Sequence, residues 1–448
     1  IPGQSINLRF IQDIEQEMRG MIANNVPILK HGIPRQEAIE LFQARGNRGK
    51  AALIASLPHP MISIYTCCNY PDYLYGAMLP ETKLLGQFAL DVEQSGVLIR
   101  TPDEMTDGKI RTRVEQPKFG HILSEAKEWA RILECPYISD LNQINTEHRM
   151  GELIRVSEAL QEKRIGQIAD HIASHRNNIR LILIAGPSSS GKTSFAQRLR
   201  IQLRVNGLHP IMISLDDYFL NREDTPRNEK GQYDYESIDA IDTALFNRNM
   251  LELLNGHRVQ IPYYNFITGR REWHDDNFLL MKEDQPIIIE GIHGLNERLT
   301  ADIARKNKYK IYISALTQLN IDAHNRIPTT DVRFLRRLVR DHQFRGAKAI
   351  KTIKQWPDVR AGEEKYIFPF QEEADVLFNS ALIYEIGVLK KYAVPLLEAI
   401  GRGEEGYTEA RLILRFLQYV DEIHDIDDIP NNSIFREFIG KSVFFKEK

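Results

Sequence analysis

Cysteine is scarce: Cys67, Cys68 and Cys135 are the only three in 448 residues. They supply neither a disulfide framework nor a CxxC metal pair, which excludes the cystine-stapled secreted scaffolds and fits a reducing compartment. Long hydrophobic runs are missing as well. No window approaches the roughly twenty apolar residues that a membrane-spanning helix needs, and the opening stretch Ile1 to Phe10 lacks the pattern of a secretory signal. The sequence therefore reads as cytoplasmic, with no membrane partner expected. Nor is there an excess of one charge: 58 Lys and Arg stand against 61 Asp and Glu, a net charge of -3. That gives no general field for capturing nucleic acid, which is not expected as a partner. Internal repeats and low-complexity tracts are absent. What remains, 42% hydrophobic and 27% charged residues, is an ordinary globular composition, long enough for two or three domains.

Arg180-Leu-Ile-Leu-Ile-Ala185 is a short apolar run ending in a glycine-rich turn, and 193–205 then shows helical spacing, which predicts strand, loop and helix. Further Ile-rich runs at 211–215, 286–290 and 309–313 are separated by stretches long enough for crossover helices, so they read as strands of a parallel sheet. Before this block, 157–173 carries Ile165, Ile168, Ala169 and Ile172 at helical spacing. The predicted organisation is an α+β domain over 1–155, a connecting helix over 156–178 and an α/β domain over 179–448 with a helical extension at its end. Within the first third, helices are predicted over 11–22 and 36–45 and strands over 62–66 and 97–99.

Gly186-Pro-Ser-Ser-Ser-Gly191-Lys192-Thr193 matches GxxxxGK[ST] in full, after a predicted strand and opening a predicted helix. The segment Gly186, Pro187, Ser188, Ser189, Ser190, Gly191, Lys192, Thr193 and Ser194 is the expected nucleotide-binding stretch. Its glycines let the backbone curl so that successive N–H groups face phosphate oxygens at a helix N-terminus. Lys192 reaches the outer phosphates, and the Thr193 hydroxyl is placed for Mg²⁺. A chance Gly/Ser loop is the plain alternative, disfavoured because both flanks are right. Ser214-Leu-Asp216-Asp217 ends the next strand. A transferase acting on a hydroxyl needs a carboxylate there to take the proton, and Asp216 is the choice over simple helix capping. An extended strand end would turn Asp217 away. Glu290 closes the run Ile287-Ile-Ile-Glu290-Gly291, where a second metal-organising carboxylate belongs. Arg333-Phe-Leu-Arg336-Arg337-Leu-Val-Arg340 and Arg345 set guanidiniums on a helix that can close over triphosphate, with a solvated basic face or an RNA patch as alternatives.

Together these residues resemble the uridine kinase and phosphoribulokinase family of P-loop kinases over roughly 180–391. The resemblance implies an α/β P-loop kinase fold, a parallel sheet flanked by helices, with ATP and Mg²⁺ as cofactors. It also implies Asp216 as base, Thr193 and Glu290 on the metal, and Arg337, Arg340 and Arg345 in a lid. Glu236, Tyr264, Phe266 and Gln355 fall where uridine kinases hold their nucleoside, so the implied acceptor is the 5'-hydroxyl of a nucleoside such as uridine or cytidine. Three positions depart from the pattern: Glu236 replaces an aspartate, Gly269 a histidine that contacts the base, and Ala347 an arginine after the lid. A sugar-phosphate or pantothenate-like acceptor on the same scaffold is one alternative, and an RNA-associated or regulatory NTP-binding protein is another.

The first third is similar to the editing domain of threonyl-tRNA synthetases through Ile14-Glu-Gln-Glu-Met18, Glu37-Ala-Ile-Glu-Leu-Phe42, Lys50 and Asp72-Tyr-Leu-Tyr-Gly76-Ala-Met-Leu-Pro80. Leu74 and Met78 stand where that family has a Cys and a His, so a role in stability, self-association into a homo-oligomer or ligand sensing is expected rather than deacylation. The family's earlier His-x-x-x-His segment would lie upstream of Ile1, and the chain reads as starting inside a longer protein. The tail from Ile429 to Gly440 fits bacterial uridine kinase-like proteins that carry synthetase-type N-terminal domains.

Overall fold

The computed structural model describes residues 6–93, 96–102, 106–228, 231–282 and 285–445. They form two units. The first comprises Ile1–Glu147 with Gln318–Ile327 and Arg415–Asp421, the second His148–Thr317, Pro328–Leu414 and Glu422–Lys448. The division falls a few residues before the predicted boundary at 155, which lies inside a continuous helix, Met150–Ser174. His148 precedes that helix with a φ of 57°, a local break that helical spacing read from residue 157 onward could not register.

In the first unit, α1 (Leu8–Ala23) starts where the Asn7 side chain accepts from the Phe10 N–H at 2.9 Å. Its Ile11 packs against Phe88 and Leu90. Strands β1 (Leu29–Pro34), β2 (Met61–Cys67) and β3 (Tyr70–Asp72) form an antiparallel sheet in that order, with α2 (Arg35–Ala44) and α3 (Arg48–Ser56) between β1 and β2. A hairpin of β4 (Ala89–Glu93) and β5 (Gly96–Arg100), then α4 (Pro117–Ile132) and α5 (Ile138–Thr146), complete the N-terminal part. The predicted α+β character is therefore what the unit has. Strand β1 escaped the sequence reading because nearly all of Leu29-Lys-His-Gly-Ile-Pro34 is exposed, leaving no alternation to read. The later segments are integral to this unit. The Lys50 ammonium is fully buried, paired with Asp72, 3.7 Å from Asp322 and 3.2 Å from His324 Nδ1. Asn142 donates to the Tyr419 carbonyl at 2.8 Å.

The second unit opens with α6 (Met150–Ser174). Its central sheet holds β6 (Leu181–Ala185), β7 (Ile211–Ser214), β12 (Ile287–Glu290), β13 (Lys308–Ser314) and β14 (Val376–Asn379), in the order β14-β13-β6-β12-β7 and parallel throughout. The helices are α7 (Lys192–Val205), α8 (Thr243–Leu254), α9 (Thr329–Arg345), α10 (Ala349–Tyr366), α11 (Glu385–Glu398), α12 (Tyr407–Leu417, which belongs to this unit as far as Leu414) and α13 (Arg436–Ile439). Two short antiparallel pairs, β8 (Arg258–Gln260) with β11 (Phe278–Leu280) and β9 (Tyr263–Asn265) with β10 (Arg270–Glu272), lie between α8 and β12 in the chain.

The uniformly apolar β6 is buried along its whole length, as expected of a strand covered on both faces. Ile165, Ile168, Ala169 and Ile172 of α6 and Phe195, Ala196, Leu199 and Leu203 of α7 pack in one cluster with Ile182 and Ile184. The alternate residues Leu181 and Leu183 of β6, with Ile287 and Ile289 of β12, point to the other face, against Phe246 and Met250 of α8. All four predicted strands are present. The fifth, Val-Leu-Phe-Asn, is four residues long and follows an acidic stretch, so periodicity alone did not mark it. No helix among the described residues is long and apolar enough to cross a membrane.

Candidate active site

Parallel sheets gather their functional groups at the carboxyl ends of the strands, and here β6, β7 and β12 deliver theirs to one edge. The loop from Gly186 to Gly191 joins β6 to α7. Gly186 is obligatory, since a Cβ there would collide with the Ile313 carbonyl oxygen of β13. Ser189 at φ 60° and Gly191 at φ 84° are left-handed, the curl that turns successive N–H groups inward to form an anion nest. The Lys192 ammonium donates to the carbonyls of Gly186 at 3.0 Å and Pro187 at 3.2 Å. Ser194 is buried at the first turn of α7 and donates to Glu437 at 2.7 Å.

A buried frame holds this loop from behind. Glu363 of α10 accepts from the Ser188 N–H at 3.0 Å, and both its oxygens are gripped by Arg333 of α9, whose guanidinium also donates to the Ser188 carbonyl at 3.1 Å. Arg336 bonds Glu385 at 2.6 Å and the Ser189 carbonyl at 3.3 Å, while the Ser380 hydroxyl donates to the Ser190 carbonyl. Arg333 and Arg336 are essentially inaccessible, so this part of the arginine run is structural. Spacings of three and four along 333–340 put those two on the buried stripe with Leu335, Leu338 and Val339, a placement that charge alone argued against. Ser380→Ala should cost about 1–3 kcal/mol, because it leaves the Ser190 carbonyl without its donor in a buried position. Chemical denaturation of the variant checks this, and an unchanged midpoint would remove Ser380 from the frame.

The remaining arginines face the site. Arg337 donates to the Ser188 hydroxyl at 2.8 Å. Arg337, Arg340 and Arg345 share one carboxylate, Asp341, at 3.4, 2.9 and 3.4 Å respectively. One carboxylate cannot neutralise three guanidiniums, and desolvation, then mutual repulsion, lowers the affinity of Arg337 and Arg345 for their protons. An anion of several charges is the natural counterion.

Four carboxylates complete the set. Asp216 lies just beyond β7, not on an extended strand end as predicted: β7 stops at Ser214, and Leu215–Tyr218 is a 3-10 turn. The turn advances about 120° per residue, and the two acids still diverge, for that reason and not through strand alternation. Asp216 is exposed to water, although protein surrounds it closely. Its proton affinity is raised by desolvation and opposed by Lys192 and Arg345. Asp217 instead accepts from the Tyr264 N–H at 3.3 Å and is pushed up to about 6, chiefly by burial. Glu290, at the end of β12, lies 3.4 Å from the Thr193 hydroxyl; burial and then the Asp216 charge push it up to about 7. Glu236 is likewise raised to about 7, by burial first and then Glu363, against the pull of Lys192 and Arg337. Gly362 of α10 leaves it room, since a Cβ there would sit 2.9 Å from the Glu236 Cγ.

Tyr264 is buried in an aromatic group, its ring 5.5 Å from Phe219 and 5.0 Å from the exposed Phe266. Gln355 is exposed on α10. It lies on the same helical face as Gly362, about two turns or 10 Å from it, and no hydrogen bond among the described residues joins it to Glu236, Tyr264 or Phe266. Gly269 has φ 71°, and a Cβ there would meet the Arg222 guanidinium at 2.6 Å. Arg222 thus occupies the space next to a position that only glycine suits, with a donor at 3.3 Å from the Phe266 carbonyl. Sequence reading missed Arg222, Glu363 and His293. His293 is buried with its ring against the backbone of Glu236 and Ser237, and burial pushes its pKa down to about 4. None of the three lies in a motif, and only the fold brings them to the cleft.

Residues 181–385 match the model of the Phosphoribulokinase / Uridine kinase family. This stretch resembles the P-loop kinase domains of that family. The chain is 32% identical over 203 residues to a uridine kinase of Saccharomyces cerevisiae, covering 45% of this chain but 36% of the relative. It is 29% identical over 201 residues to a uridine kinase of Staphylococcus haemolyticus, covering 45% of this chain and 87% of the relative. The chain thus spans about a third of the yeast enzyme's length. A solved chain described as a possible uridine kinase from Bacillus stearothermophilus aligns over 48% of this chain and 98% of its own, at 19% identity and a TM-score of 0.33.

Proposed function

We propose that the chain transfers the terminal phosphoryl group of ATP, with Mg²⁺, to a hydroxyl of a small molecule, and that a nucleoside 5'-hydroxyl is the first acceptor to test. The observation that carries this reading is the meeting of Lys192 and the phosphate-cradling loop with Asp216, Glu236 and Glu290 at one sheet edge. Thr193 and Glu290 offer the hard oxygen donors that suit a magnesium ion bound jointly with phosphate oxygens, a set too small to hold the metal without them. When bound, Mg²⁺ supplies neutralisation of phosphate charge. The loop N–H groups and Lys192 then orient the phosphates, Arg337 and Arg345 offset charge that develops on the transferring group, and Asp216 accepts the acceptor's proton. Glu236 is positioned to hold acceptor hydroxyls, and Phe266 offers an open aromatic face.

Arg222 favours a second reading. A guanidinium beside Gly269, close to Tyr264 and Phe266, suits an acceptor that carries a phosphate or carboxylate better than it suits an uncharged base. An acceptor screen measuring ATP depletion separates the two: stimulation by uridine or cytidine of about tenfold or more supports the nucleoside, a gap well above what loose binding gives, and stimulation only by sugar phosphates or hydroxy acids supports the anionic acceptor. ATP consumption that no acceptor stimulates, together with salt-sensitive RNA binding, would turn the reading to an RNA-associated NTP-binding protein.

A further inference from the structure

The family match ends at residue 385, yet the second unit continues to the end of the described chain and returns to the phosphate-binding loop. Ile434 belongs to the core cluster around β6 and α7, and its methyl stands where a Cβ on Gly191 would come. Glu437 of α13 accepts from Ser194, the guanidinium of Arg336 lies 4.9 Å from the Phe438 ring centre, and the Val443 N–H donates to the Asn431 carbonyl at 3.0 Å. The segment 429–445 is therefore fixed to the loop and to α9 by buried contacts.

Between this segment and the end of α9 lies a cavity of about 460 Å³ whose lining includes Thr193. Its walls include Phe344 and Arg345 on the α9 side and Lys441, Ser442 and Phe445 on the C-terminal side. Two large aromatic side chains, Phe344 at 48% and Phe445 at 37% exposure, are left open there. The direction of a bound triphosphate follows from the loop. Lys192 reaches the outer phosphates and Thr193 the metal, so the inner phosphate and the nucleoside leave on the side of α7's first turn, beside Thr193 and Ser194. Thr193 lines the cavity, and the cavity's volume falls in the range of about 300–1,000 Å³ common for small-molecule sites.

We propose that the C-terminal segment 429–445 forms one wall of the donor nucleotide's base-and-ribose site, with Phe445 and Phe344 offering stacking faces to a purine base. This rests on the kinase reading and adds to it a binding element that lies outside the family match. Both phenylalanines are exposed, so their truncation leaves the core intact. Phe445→Ala should weaken MgATP binding about tenfold, the scale of one lost base–aromatic contact, and Phe344→Ala should do the same. Binding of magnesium tripolyphosphate, which carries no base, should stay within about twofold, and Phe445→Tyr, which keeps the stacking face, should hold ATP affinity within about twofold. Isothermal titration of these variants decides the matter. Unchanged ATP affinity in both alanine variants overturns the proposal, as does equal weakening of ATP and tripolyphosphate, which would make the cavity a phosphate site. A wild-type chain that binds neither ligand overturns the kinase reading itself, and the base site with it.

Discussion

Lys192→Ala is expected to lower MgATP turnover by about a thousandfold, at the upper end of what removal of one preorganised charge donor costs. The variant should fold normally. Among the described residues the ammonium makes two hydrogen bonds, both to loop carbonyls, and it belongs to neither of the two hydrophobic clusters that cover the central sheet. Removing it therefore takes away charge complementarity to phosphate and leaves packing alone, so the melting temperature should move by no more than about 1 kcal/mol would produce. Coupled-assay turnover and thermal melting on the same preparation test both halves. Retained turnover would falsify the assignment of this loop as the phosphate site, and loss of turnover accompanied by unfolding would show that Lys192 serves the structure.

Asp216→Asn is expected to lower kcat by roughly a hundredfold or more while leaving ATP affinity nearly intact, because a general base acts on the acceptor's proton and not on the nucleotide. The structure supplies a sharper control than the sequence did. Asp217 neighbours it on the same 3-10 turn, but its carboxylate is taken up by the Tyr264 N–H, which an asparagine oxygen at that position can also satisfy. Asp217→Asn should therefore cost no more than about fivefold, in line with a neutral hydrogen bond in place of a charged one. Steady-state kinetics with saturating acceptor and direct ATP titration distinguish the outcomes. Equal damage in the two variants, or an Asp216→Asn enzyme at full rate, means that the base is another group. A loss of ATP affinity that matches the rate loss would instead make Asp216 a metal ligand.

Much of the second unit was legible because its signals are local. The apolar run of β6, the loop motif and the spacing of Phe195, Leu199 and Leu203 each declare themselves within about a dozen residues. The placement of Asp216 and Glu290 near the loop was legible for a related reason: Glu290 ends a strand and Asp216 follows one, and the carboxyl edge of both strands must meet the loop in a parallel sheet. What could not be read depends on residues far apart in sequence. Glu363 reaches Ser188 across 175 positions, and nothing near Glu363 hints at it. Arg333 and Arg336 were read with the other guanidiniums as groups for phosphate, and burial reverses that for these two because Glu363 and Glu385 come to meet them. Gly269 was read only as a lost contact. In three dimensions it is also the space that the Arg222 side chain fills.

The discontinuity of the first unit bears on how the chain is made. Lys50 meets His324 across 274 positions, with Asp322 beside it, and Asn142 meets Tyr419 across 277. During synthesis the N-terminal segment therefore emerges with a cationic side chain destined for a dry interior and only one of its two acidic partners, Asp72, yet available. Such long-range closures are slow relative to the local pairing of the hairpin β4–β5. The N-terminal unit reaches its final charge balance only after the chain has been translated as far as His324, so a segment made earlier is finished later.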